Sequence, residues 1–366
     1  MTAARPVICI VDGSSDVSGA FVAARRAAVL MAEDAESVLL MSGESRIDER
    51  QLEPFARAYR LPLVSLRRSA ISALSYLPAL FRCSWRMSRI LKHERCSRLQ
   101  FNDFHFAHGA VLRTLGYRGL IVTFIRLNPE RFGVTGRLWL ELARRSSDQM
   151  VAVSESVRRR LPWPDKVRVL YDPCPDVPIL GASAEPNLVL MGNYDPRKGH
   201  DAAIEAFHRI ADKHPTARLL FYGSDMGLSG QRMHLSRLRK VASAGPGSGR
   251  IEFRDFVTDP AEALRHARAA LSFSISESFS LACQEASAHG IPVIATRSGG
   301  PEEIVEDGVT GYLVDVGDVD AMARRMDQLL SDPALARKLG MQGAALVRER
   351  FPAEGFKKAF REIHRL

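Results

Sequence analysis

Cysteine is sparse in this chain, and its arrangement is uninformative in a useful way. The five cysteines (Cys9, Cys83, Cys96, Cys174, Cys283) are scattered, odd in number and never spaced CxxC. That argues against a disulfide framework and against a zinc site, and for a reducing compartment. Long hydrophobic runs are missing too. No stretch of about 18 apolar residues occurs, so no membrane-spanning helix is expected. The apolar run Val7–Val11 near the start is too short for the core of a signal peptide and reads as a buried strand. The expectation is a cytoplasmic protein, with the inner face of the plasma membrane as a candidate resting surface. Asp12-Gly13-Ser14-Ser15-Asp16, after the first apolar run, is not the G-x-G-x-x-G that a dinucleotide oxidoreductase needs there. Internal repeats and low-complexity tails are also absent.

What is present is ordinary in bulk. The chain has 366 residues, 46% apolar and 25% charged, with a formal net charge of +9. A single core rarely grows past about 250–300 residues, so two domains are expected. Short apolar runs alternate with longer helical patterns: Val7–Val11, Ser37–Met41, Leu99–Phe101, Leu120–Phe124 and Met150–Val153, then Leu188–Met191, Arg218–Tyr222, Ile251–Phe253, Ala269–Phe273, Pro292–Ala295 and Gly311–Val314. Strand, helix, strand with few hairpin signals predicts two parallel sheets covered on both faces. The proline-rich stretch from Asp172 to Pro186 separates them as a linker. This gives residues 1–172 as an N-terminal Rossmann-like domain, 173–348 as a C-terminal Rossmann-like domain, and 349–366 as a C-terminal helix. Ligands of such sheets bind beyond the carboxyl ends of the strands, so chemistry is expected in strand-to-helix loops.

The richest segment is Ser272–Glu285, SFSISESFSLACQE. A strand ends near Ser274, and a helix begins near Ser280. The free amides of Phe279, Ser280 and Leu281, with the helix dipole, make a phosphate site. Glu277 and Glu285, eight residues apart, are placed to accept hydrogen bonds from sugar hydroxyls. On spacing alone the two acids read equally as surface residues near a helix start, where glutamate is favoured.

The continuation decides between these. After Glu285 come Ala286–Thr296 (ASAHGIPVIAT), Ser298-Gly299-Gly300-Pro301-Glu302-Glu303-Ile304-Val305 and Asp307–Val314 (DGVTGYLV). This string resembles the signature of retaining GT-B glycosyltransferases of family 4, the glycosyl transferases group 1, with their E-x7-E pair. Val189–Gly199 (VLMGNYDPRKG) resembles the same family's strand and cationic loop. The resemblance is specific over roughly Leu188–Leu330 and diffuse before it. It implies the GT-B fold, two doubly wound Rossmann-like domains facing a cleft, with 1–172 as the acceptor domain, 173–348 as the nucleotide-sugar donor domain and the helix of 349–366 crossing back to the first. It also implies transfer of a sugar from a nucleotide-diphosphate sugar with retention at the anomeric carbon.

The resemblance also implies roles. Glu277 would hold sugar hydroxyls, Glu285 the ribose, and the amides of Phe279, Ser280 and Leu281 the phosphates. Lys198 matches the family's lysine on the leaving diphosphate; its arginine position is Asn193 here, leaving Arg197 or Asn193 to serve. Two cations on a leaving pyrophosphate do what a metal would otherwise do, and the one D-x-D, Asp318–Asp320, sits where a helix cap is expected. No metal and no cofactor are therefore expected. Asp255 stands where a glycine is common; with Phe256 it marks the base site, and an acid there mildly favours GDP-mannose over a UDP-sugar.

In the N-terminal half the family's glycine-rich loop is reduced to Gly19, with Ser18 in place of a second glycine. Its usual histidine is Ile125 here, which leaves Arg126, His105 and Asp103 as acceptor- or sugar-facing candidates.

Arg67–Arg98 holds eight Arg/Lys and one acid, Glu94. Arg82, Arg86, Arg89 and His93 fall on one helical face beside Phe81 and Trp85. That is a candidate anionic-membrane surface, as well as an ordinary solvated helix; nucleic acid is disfavoured because aromatics do not interleave with the cations. The expected acceptor is a glycan or a lipid-linked chain in surface polysaccharide synthesis. Two alternatives stay open, a non-catalytic sugar-binding relative and a nucleotide-sugar epimerase of the same fold.

Overall fold

The computed structural model describes the backbone of residues 5–63 and 70–366, and the side chains of 5–63 and 76–366. Arg67 and Arg68, the first cations of the basic stretch, lie outside the described residues. The chain divides into two compact units. One runs to Asp172 and takes in Glu354–Leu366; the other is Pro173–Ala353.

The first unit contains β1 (Val7–Asp12), α1 (Gly19–Leu30), β2 (Glu36–Ser42), α2 (Glu49–Leu52), β3 (Arg57–Leu61), α3 (Ala70–His93), β4 (Arg98–Phe101), α4 (His108–Thr114), β5 (Leu120–Ile125), α5 (Gly133–Ser146), β6 (Gln149–Ala152), α6 (Glu155–Arg159) and β7 (Arg168–Val169). In the described residues its strands form one parallel sheet, ordered β3-β2-β1-β4-β5-β6-β7. β1, β2 and β5 are buried on both faces because helices cover both sides, which is why they read as unbroken apolar runs.

Two edge strands escape such a reading. β3 carries Arg57 and Arg60 and is largely exposed. It is held by polar contacts instead, with Arg57 and Tyr59 both donating to the buried carboxylate of Glu94. β7 is two residues long. Ser18, in the place of a second glycine, is the α1 cap: its hydroxyl accepts from the Phe21 amide at 3.2 Å.

The second unit contains β8 (Asn187–Met191), α7 (His200–Ile210), β9 (Arg218–Tyr222), α8 (Ser229–Ser243), β10 (Ile251–Arg254), α9 (Pro260–Leu264), β11 (Ala267–Ser272), α10 (Leu281–Ala288), β12 (Val293–Thr296), β13 (Gly311–Val314), α11 (Val319–Ser331) and α12 (Pro333–Arg350). In the described residues its parallel sheet is ordered β10-β9-β8-β11-β12-β13. Its core joins Leu188, Leu190, Phe221 and Phe273 to Phe207 of α7 and Met322 and Met326 of α11. The proline-rich segment after Asp172 is not a loose tether. The Leu180 amide donates to the carbonyl of His289, and Arg348 donates to that of Val177.

The last helix, α13 (Ala353–His364), belongs to the first unit. Phe356, Phe360 and Ile363 form its buried stripe. Arg361 forms a two-pronged ion pair with Asp34, and Arg98 donates to the carbonyl of His364. Among the described residues no helix is long and apolar enough to cross a membrane.

Candidate donor site in the second unit

In the second sheet the chain leaves β8 toward β9 and β10, then crosses back to begin β11 on the other side. The loops after β8 and β11 therefore flank the switch point of the sheet, the usual ligand position in a doubly wound fold. Both cationic and acidic motifs sit in these two loops. The loops touch: the Ile275 amide donates to the carbonyl of Arg197 at 2.9 Å.

The β8 loop is shaped by Asp195 and Gly199. The Asp195 carboxylate accepts from the Arg197 amide at 3.0 Å and caps the short turn Pro196–Lys198. Gly199 then takes a left-handed conformation (φ 73°) and starts α7. A Cβ at Gly199 would lie 2.0 Å from the carbonyl oxygen of Phe273 at the end of β11. Gly199→Ala combines that backbone clash with left-handed strain. It should cost more than about 2 kcal/mol, lowering the second unit's thermal midpoint by about 5 °C or more. An unchanged midpoint in calorimetry would show that the loop yields freely.

Glu277 is fixed at both backbone and side chain. Its amide donates to the carbonyl of Ser298 at 3.0 Å, and its carbonyl accepts from the Gly300 amide at 3.0 Å. Its Oε1 accepts from Lys198 Nζ at 2.6 Å and from the Ser274 hydroxyl at 2.7 Å, and its side chain is 13% exposed. Gly300 is required here because a Cβ would lie 2.3 Å from the Cα of Phe279. The surrounding protein partly desolvates Lys198, which opposes its charge. The Glu277 carboxylate outweighs this, with Asp195 adding to it, so the ammonium is held above its ordinary pKa. The Lys198 side chain remains 38% exposed, so a ligand has access to it.

The other expected donor residues fall in different places. Arg197 is turned back onto the Asp195 carboxylate, and the Asn193 amide donates to Met226 Sδ at 3.0 Å. Phe279 is buried edge-on against Phe351, with ring centroids 5.2 Å apart. Ser280 precedes α10 in a left-handed conformation (φ 83°), its hydroxyl donating to Cys283 Sγ at 3.1 Å rather than accepting from a helix amide. Leu281 opens that helix, and Glu285 lies half-buried within it. Asp255 and Phe256 are exposed beyond β10, next to Arg254, whose carbonyl accepts from the Tyr194 hydroxyl of the β8 loop at 3.1 Å. Asp318 accepts from the Ala321 amide as the cap of α11.

In the first unit Gly19 lies exposed in the first turn of α1. Arg126, expected to face sugar, is instead 8% exposed. It donates to Asp172 at 2.8 Å and to Asn102 at 2.9 Å, and Asn102 donates on to buried Asp12. A guanidinium this enclosed is committed to its partners. Asp103 is buried too; burial pushes its carboxyl upward, against the pull of His105. His105 Nδ1 lies 3.9 Å from Asp103, and the His105 ring lies tilted against Phe106, with centroids 4.3 Å apart. Its Nε2 borders the β1–α1 loop, 3.9 Å from where a Cβ on Gly13 would stand.

Ser274 and Thr296 are the residues that motif reasoning did not single out. Thr296 Oγ1 donates to the Ser274 carbonyl at 2.5 Å, holding the strand end from which Ser274 reaches Glu277. Their signal is weak, because a serine three residues before an acid is common in any loop.

Residues 178–345 match the family model described as glycosyl transferases group 1, and the second unit belongs to that family. Among curated relatives, the chain is 29% identical over 178 residues to the lipopolysaccharide core biosynthesis glycosyltransferase LpsE of Rhizobium meliloti, covering 49% of each chain. It is 33% identical over 175 residues to the GDP-mannose-dependent alpha-(1-6)-phosphatidylinositol monomannoside mannosyltransferase of Mycolicibacterium smegmatis, covering 44% of this chain and 43% of that one. The match thus spans about half the length of these relatives or less. Among solved structures, Anabaena HepE in complex with UDP-glucose superposes with a TM-score of 0.80 at 18% identity, over 97% of this chain and 98% of that one. Sucrose-phosphate synthase from Thermosynechococcus elongatus gives 0.79 at 19% identity, over 99% and 98%. With its two Rossmann-like units, the protein has the GT-B fold.

Proposed function

We propose that the protein is a retaining, metal-independent hexosyltransferase that moves a sugar from a nucleotide-diphosphate sugar to a glycan or lipid-linked acceptor in surface polysaccharide or glycoconjugate synthesis. The observation that carries the reading is the Lys198–Glu277 contact at the switch point of a group 1 domain. An ammonium beside the leaving diphosphate stabilises the charge that develops there. The Glu277 carboxylate, steadied by Ser274, is suited to accepting from sugar hydroxyls. Asn193 and Arg197, with partners of their own, are secondary candidates for the diphosphate. His105 and Asp103 are the acceptor-side candidates. GDP-mannose stays ahead of UDP-sugars. Asp255 supports that order, as does the GDP-mannose dependence of the mycobacterial relative; the UDP-glucose bound to HepE supports the other.

A panel of GDP, UDP, ADP and their sugar conjugates, with and without EDTA, tests this by thermal shift. A ligand that binds only the native state raises the melting temperature by mass action. The expected result is a rise for one nucleotide family, unchanged by EDTA. A rise that EDTA removes would overturn metal independence; no rise for any nucleotide would favour the non-catalytic reading.

The acceptor side includes a membrane. On α3, Leu77, Phe81 and Trp85 are exposed, at 69%, 53% and 47%, beside exposed Arg82, Arg86 and Arg89. The Arg89 guanidinium lies over the Trp85 ring at 5.1 Å. A basic helix presenting large apolar side chains suits an anionic bilayer, such as the inner face of the plasma membrane. Replacing Arg82, Arg86 and Arg89 by Ser should weaken sedimentation with anionic vesicles by tenfold or more, at about 1 kcal/mol for each cation. Equal sedimentation before and after would leave α3 as a solvated helix.

A further inference from the structure

The first unit holds a second basic feature, at the opposite end of its sheet from Asn102 and Arg126. A cavity of about 310 Å³ opens where α3 and α4 end and β4 and β5 begin. Both helices finish with a left-handed residue: Arg95 (φ 49°) after α3 and Gly116 (φ 87°) after α4. The Cys96 amide returns to the Leu91 carbonyl at 2.8 Å, and the Tyr117 amide to that of Leu112 at 2.9 Å. These two reversals bring Leu91, Leu115 and Tyr117 together as an apolar lining. Around them stand Lys92, Arg95 and Arg118, all exposed, and among the described residues no carboxylate lines the cavity or pairs with these three. Basic side chains near helix C-termini are favoured by the dipole. That accounts for cations at each end separately, but not for their meeting around one apolar hollow.

We infer that this cavity binds the phosphate head and first carbons of an alkyl phosphomonoester. Two guanidiniums and an ammonium supply the charge and donors a phosphate dianion needs, and outweigh the negative ends of the two helices there. The apolar lining takes the adjoining chain, and the volume is at the lower end of the range for small-ligand sites. The site uses none of the residues assigned to sugar transfer, so it stands or falls independently of that reading.

The test is calorimetric titration of the whole chain with decyl phosphate, inorganic phosphate and decanol. Decyl phosphate should bind at least about tenfold more tightly than either fragment, since only it engages both lining and cations. Lys92→Ala with Arg118→Ala should weaken it by about tenfold or more without changing the melting temperature, because both side chains are exposed. The Arg82, Arg86 and Arg89 to Ser protein should keep full decyl phosphate affinity. Phosphatidic acid vesicles distinguish the source of the group. Vesicle binding that falls in the Lys92/Arg118 variant supports the site with a bilayer lipid as its ligand; vesicle binding unaffected by that variant, with decyl phosphate affinity lost, supports it with a soluble ester. Equal affinity of wild type and the Lys92/Arg118 variant for decyl phosphate overturns the proposal, as does binding no tighter than that of the fragments. In that case the cations serve only the helix ends.

Discussion

Lys198→Ala is expected to lower sugar transfer by about 10²–10³-fold, the usual cost of removing one charge-stabilising donor from a developing oxyanion. Lys198 of the β8 loop meets Glu277 of the β11 loop at 2.6 Å. Stability should change little. The lysine is 38% exposed, and a partly exposed ion pair contributes little net energy. Glu277→Gln keeps the shape of the side chain and its contact with Ser274 while removing the charge. It should reduce transfer by at least about tenfold, from one weakened hydrogen bond to a charged group. Because the two side chains touch, their effects should fall well short of multiplying in the double variant. Initial rates of nucleotide release, with the donor found in the thermal-shift panel, give all three numbers. Rates within twofold of wild type for Lys198→Ala would remove this pair from the reaction.

Acid should destabilise both units well before their carboxylates titrate. Burial pushes His108 down to about 4, and His200 and His364 down to about 3. Each takes up a proton in the unfolded chain below the ordinary histidine value of 6.5 but stays neutral in the fold. Between those limits the unfolded chain binds more protons, so stability falls as pH falls. The slope approaches about 1.36 kcal/mol per pH unit for each such group. The loss begins below the unfolded value and levels off only near the folded one. His200→Phe offers a direct check. The His200 ring lies 5.2 Å from both Tyr194 and Phe221, so a phenyl ring suits the same apolar contacts. Urea midpoints of the second unit between pH 6.5 and 4.5 should fall less steeply in the variant than in wild type. Parallel profiles would show that His200 becomes protonated in the fold.

Much of the candidate site was legible because its determinants are local. A glycine is demanded where Gly199 turns left-handed against Phe273, and Ser280 marks the start of the helix that follows the SFSL run. Other features required partners distant in sequence. Arg126 looked free to meet a ligand, but Asp172, 46 residues on, encloses it. Arg197 looked like a spare cation for the diphosphate, yet Asp195 holds it. β3 was invisible to a search for apolar runs because Glu94, 37 residues beyond Arg57, offsets the charge of an edge strand.

The sequence by itself determined the alternation of strand and helix, through apolar runs long enough to cross a sheet buried on both faces. It also determined the loops that carry the candidate site, because strained turns and helix starts demand particular residues at fixed spacing. Only the tertiary structure decided which charges are available. Each cation's partners and remaining exposure depend on which strand ends the sheet order sets side by side: Lys198 keeps 38% of its side chain exposed beside Glu277, whereas Arg126, at 8%, is enclosed. Lys198 and Glu277, 79 residues apart, meet because β11 lies next to β8 in the sheet.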